Sequence, residues 1–76
     1  MKSILIIAPH IKIAETAKVV ARKYKDVSVE VGLLEQSIDI ARKAEAEGVD
    51  VLISRGGTAQ LLDREIKSTP IVELPV

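Results

Sequence analysis

Ile4-Leu5-Ile6-Ile7-Ala8 is an uninterrupted apolar run rich in β-branched residues, and Pro9-His10 stops it. A run that is apolar at every position reads as a strand buried on both faces, which is the pattern of a parallel sheet. Outward from it the period changes. Ile13, Ala17, Val20, Ala21 and Tyr24 fall on one helical stripe, with Lys18, Arg22 and Lys23 on the wet side. Val27, Val29 and Val31 then alternate with Ser28 and Glu30, predicting a half-buried strand at a sheet edge, closed by Gly32. Helical spacing resumes at Leu34, Ile38, Ala41 and Ala44, with Glu35, Asp39, Arg42, Lys43, Glu45 and Glu47 facing water. Gly48 stands where a helix-terminating glycine belongs, because only glycine takes the left-handed conformation cheaply.

Val49, Val51, Leu52 and Ile53 predict a third strand, and Ser54-Arg55-Gly56-Gly57-Thr58 a Gly-rich turn. Leu61, Leu62 and Ile66 mark a third helix, broken at Ser68-Thr69-Pro70. Ile71-Val72-Glu73-Leu74 is a fourth strand, and Pro75-Val76 ends the sequence. The order βαβαβαβ with short connections predicts an α/β, Rossmann/flavodoxin-like three-layer fold with a parallel sheet in strand order 2-1-3-4. In that arrangement the first helix covers one face and the other two helices cover the opposite one. The first face is then bare beside strands three and four, where Val51 and Ile53 lie. Exposed apolar surface of that kind marks an interface. Residues 1–76 therefore read as a single lobe, an incomplete half-domain that either belongs to a larger domain with a second lobe or forms a homo-oligomer.

Composition narrows the classes of function. The 76 residues carry eleven Lys+Arg against eleven Asp+Glu, 1% aromatics and no cysteine. One domain is the most this length allows. Disulfides and Cys-ligated metals are excluded, and one His leaves too few ligands for a metal site. Balanced charge and near-absent aromatics remove the electrostatic and stacking arguments for direct nucleic-acid contact. Met1-Lys2-Ser3 looks like a signal-peptide start, but Ile4 to Pro9 is short for its hydrophobic region, and no apolar run spans a membrane. A cytoplasmic protein without a cofactor is the expectation.

In open parallel sheets, ligands bind at the carboxyl ends of the strands where the strand order reverses, here between strands one and three. His10 arrives there from strand one, and Ser54, Arg55, Gly56, Gly57 and Thr58 arrive from strand three. The two glycines allow close backbone approach, the helix start offers unpaired N–H groups, and Arg55 offers a planar fork. These six residues are the candidate ligand-binding set, suited to a small carboxylate or phosphate-like anion. The spacing is neither a Walker A loop nor Gly-x-Gly-x-x-Gly. The structural alternatives are a helix cap by His10, Gly57 or Thr58, a surface ion pair for Arg55, and a strand-end hydrogen bond for Ser54. No Asp or Glu lies near His10 in sequence to orient it for catalysis.

The Ile-Ile-Ala-Pro-His strand end, Val29-Glu30-Val31-Gly32, Glu47-Gly48-Val49-Asp50-Val51 and above all Ile53-Ser54-Arg55-Gly56-Gly57-Thr58-Ala59 carry a resemblance. With Ile71-Val72-Glu73-Leu74-Pro75-Val76 they look like the first lobe of the N-terminal sensor domain of propionate catabolism activators. Those proteins are sigma-54-dependent transcription regulators. The resemblance implies a sensory, non-enzymatic role. A small organic acid is sensed between two Rossmann-like lobes, and inhibition of an ATPase module, absent from this sequence, is relieved. Two readings stand beside it: a phosphocarrier or transferase using His10, and a structural half-domain that self-assembles through its uncovered sheet face. A receiver domain is disfavoured, since strand one lacks the acidic pair and strand three ends in Ser-Arg.

Overall fold

The structure, a computed structural model, describes residues 3–74; Met1, Lys2, Pro75 and Val76, and with them most of the signal-like start and the end of the sequence, lie outside the described residues. Seven elements alternate: β1 (Ile4–Ala8), α1 (Ile11–Ala21), β2 (Val27–Val31), α2 (Glu35–Ala46), β3 (Val51–Arg55), α3 (Gly56–Glu65) and β4 (Ile71–Leu74). The four strands form one parallel sheet in the order β2-β1-β3-β4. This is the flavodoxin-like topology predicted from the alternation.

The core lies on one face. Leu5 and Ile7 of β1 and Leu52 of β3 meet Ala41 and Ala44 of α2, Leu62 of α3 and Ile66, with Ile71 of β4 packed at the margin. The period of two along each strand sends the alternate residues Ile6, Ile53, Arg55 and Leu74 to the other face. Only α1 serves that face, against β1 and β2. An open groove of about 530 Å³ remains there, lined by Ile6, Ile13, Ala17, Val20 and Leu74, with Lys12 and Arg55. The uneven cover expected from strand order is thus present.

Three local readings are corrected. First, α1 ends at Ala21, so Tyr24 lies beyond the helix and is 59% exposed, as is Val20 at 53%. Ala14 and Ala21 make the close contact with the sheet, because small side chains let helix and strands approach. The Ile13–Val20 stripe faces the open groove instead. Second, Leu34 is not on the buried stripe of α2. It precedes the helix at φ 39°, exposed, and Ser37 is buried in its place, its hydroxyl donating to the Leu34 carbonyl. Third, Glu45 is not simply solvated: its carboxylate accepts from the backbone N–H of Ser68 at 3.1 Å and from the Ser68 hydroxyl, tying α2 to the segment before β4.

Gly48 does close α2. At φ 85° it bonds to the Glu45 carbonyl at 3.1 Å, and Val49 bonds to Ala44 at 3.0 Å, which is the two-bond Schellman ending. No helix among the described residues is long and apolar enough to cross a membrane.

Leu52 and Leu62 are fully enclosed, so truncation leaves a cavity. Leu52→Ala and Leu62→Ala are each expected to lower unfolding stability by about 2–5 kcal/mol, measured by urea denaturation. Loss below about 1 kcal/mol for either would contradict this core assignment.

Candidate functional site

The site begins with the way β1 and β3 separate. Their pairing runs from Ile4 and Val51 to Ile6 and Ile53 and stops. Beyond it the Ser54 hydroxyl donates to the Ile7 carbonyl at 2.7 Å, replacing the next ladder bond while letting the strands part. Ser54 is buried, and its hydroxyl is committed to this bridge. Thr58 is buried as well, so its side chain faces the protein rather than the crevice.

The predicted Gly-rich turn is not a turn. Ser54 and Arg55 belong to β3, and α3 starts at Gly56 with no intervening loop. The chain passes from extended Arg55 (φ −145°) into the helix through Gly56 at φ 61°, a left-handed value that favours glycine. Gly57 is exposed and has no such requirement; a Cβ there would meet nothing within 4 Å. No side chain caps α3, and its first turn holds no acidic residue. Its first N–H groups therefore face outward without a side-chain partner, carrying the partial positive charge of a helix start.

His10 caps α1. Its Nδ1 accepts from the Lys12 backbone N–H at 3.1 Å, so in the neutral ring the proton sits on Nε2. The side chain is exposed. One consequence concerns Lys12, which sequence reasoning missed: it lines the same groove as Arg55. Two cations thus line one groove, Lys12 from the start of α1 and Arg55 from the end of β3. The signal was the position of Lys12 two residues past the end of the first connection, but no motif surrounds it. The ion pairs among the described residues are Arg42–Glu65 at 3.6 Å and Arg64–Glu65 at 3.4 Å; Arg55 and Lys12 take part in neither. The described residues contain no cluster of three or more His, Asp or Glu fit for a metal ion.

Uncapped amides of α3, two cations and the imidazole that caps α1 thus lie near the point where the strand order of the sheet reverses. A family model described as propionate catabolism activator matches residues 21–76, and the chain belongs to that family, one of regulatory sensor domains. The match covers Arg55 to Thr58 and begins after His10 and Lys12. No curated protein and no solved structure matches the chain.

The two glycines should separate cleanly. Gly56→Ala is expected to cost about 1 kcal/mol through its left-handed backbone, whereas Gly57→Ala is expected to be neutral or stabilising by up to about 1 kcal/mol. Thermal unfolding of both variants checks this; equal destabilisation would mean that Gly57 also serves the backbone.

Proposed function

We propose that the chain is the effector-sensing lobe of a sigma-54-dependent activator and that it captures a small organic acid at the β1–β3 edge. One observation carries the reading: α3 opens directly from the strand end, uncapped, beside the unpaired cations Arg55 and Lys12. The amides of Gly56 and Gly57 would hold one carboxylate, since a helix start favours negative charge and a glycine leaves its N–H unshielded. Arg55 supplies a planar fork for the same or a second carboxylate, and Lys12 a point charge. The His10 Nε2–H is the remaining donor. Ile6 and Ile13 in the adjoining groove suit the carbon skeleton of the acid.

Sensing follows from differential binding. An acid that binds one arrangement of this lobe and its neighbours better than another shifts the population toward it, by no more than that difference in affinity. The ATPase module of the activator would read the shift. Gly57 fits this account, since no backbone strain requires glycine there.

The reading is tested by amide NMR titration with citrate and with phosphate at fixed ionic strength. Saturable shifts at Lys12, Arg55, Gly56 and Gly57 are expected. Arg55→Gln should weaken binding about tenfold or more, as expected for loss of a charged hydrogen bond, and Gly57→Ala should weaken it without loss of stability. Scattered, unsaturated shifts, or affinity unchanged in Arg55→Gln, would refute the site. Phosphorylation of His10 by a phosphodonor, seen by intact mass, would instead support a carrier.

A further inference from the structure

β2 is the outer strand of the sheet, and its backbone is half unused. The Ile4 N–H bonds to the Asp26 carbonyl at 2.8 Å, and the Gly32 N–H bonds to the Ala8 carbonyl at 3.0 Å. With the register Ile4–Val27 to Ala8–Val31, the even-numbered residues of this strand turn their backbone groups toward β1. Val27, Val29 and Val31 therefore turn theirs outward. The strand holds no proline and no lysine, Glu30 is its one charge, and an open groove flanks it on each face, against α2 on one side and α1 on the other.

The sequence of this edge is complementary to itself. We propose that β2 pairs antiparallel with β2 of a second copy of this chain about a two-fold axis at Val29, joining both sheets into one. Val29 then faces Val29, and Val27 faces Val31, so every outward N–H meets an outward carbonyl. Ser28 faces Glu30 of the second copy in the closer, non-hydrogen-bonded type of pair, where a hydroxyl can donate to the carboxylate. Other registers are worse. An axis at Glu30 sets Glu30 against Glu30, and an axis at Ser28 sets Asp26 against Glu30.

The strand ends agree. Tyr24 is 59% exposed at one end; Leu33 and Leu34, 58% and 59% exposed, stand at the other. The two-fold axis brings Tyr24 of each copy to Leu33 and Leu34 of its mate, covering apolar side chains that the monomer leaves in water. Leu34 is held outward by the one positive φ at a non-glycine residue among those described. With a formal net charge of zero, two copies carry no overall repulsion. None of these residues belongs to the anion site, so this proposal and the sensing reading stand or fall separately.

Sedimentation velocity on the whole chain across a micromolar-to-millimolar range tests it, together with amide exchange. A reversible dimer is expected, with exchange at Val27, Val29 and Val31 slowing as concentration rises. Val29→Pro should abolish it while leaving far-UV circular dichroism unchanged, because that N–H is not used within the monomer. Ser28→Glu should weaken the dimer about tenfold across its two symmetric pairs, and Ser28→Lys should tighten it. The Ser28 variants decide the matter even if the proline variant misfolds, since Ser28 is exposed. A monomer at every concentration would overturn the proposal. So would a dimer indifferent to both Ser28 substitutions, which would assign association to the uncovered sheet face instead.

Discussion

The two central strands and the residues that pin them set the terms for the whole molecule. Ile7 and Leu52, enclosed against Leu62 and the alanines of α2, fix β1 beside β3. The Ser54 bond to the Ile7 carbonyl then governs how the pair parts at its carboxyl end. Between them these contacts create a close-packed interior and, one residue further along, a crevice. Core and candidate site are therefore continuous in the chain. A change that loosens the first also moves the second, because Arg55 and the start of α3 follow Ser54 directly.

The second constraint is the unequal distribution of helices. Three crossovers on a sheet of order β2-β1-β3-β4 put two helices on one face and one on the other. Alternation along the strands is indifferent to that inequality. Ile6, Ile53 and Leu74 remain apolar where no helix of this chain covers them fully. The same inequality gives Arg55 its surroundings. It emerges on the thinly covered face, beside Lys12, rather than into the packed layer below α3. The partly bare face of the parallel sheet leaves apolar side chains accessible, the kind of surface that marks interfaces in general.

Much of this was legible in the residues. Ile4–Ala8 announced a doubly buried strand; Val27–Val31 announced an edge strand; Gly48 announced the end of α2. Each of these signals is local, set by backbone sterics or by a period of two. The failures came where two local signals conflicted. Tyr24 and Leu34 extended good helical stripes, but a stripe records spacing and not whether the backbone remains helical at its ends. Ser54-Arg55-Gly56-Gly57-Thr58 carried the composition of a turn, yet β3 took its first two residues and α3 the rest. Within it, the chemistry split by depth: Ser54 and Thr58 are buried, whereas Arg55 and the glycines reach the surface.

The order of elements, the parallel sheet and its strand sequence were written in the residues. These follow from periodicity, from chain connectivity and from the handedness of crossovers, all of which are properties of neighbouring residues. Packing across the sheet decided that Lys12 would line the same groove as Arg55 and that Ser54 would bridge two strands rather than face the crevice. Those outcomes depend on how far apart residues 47 positions distant in sequence come to lie, as Ser54 and Ile7 do. Distance in the fold is fixed by packing against the whole sheet, and no local pattern carries it.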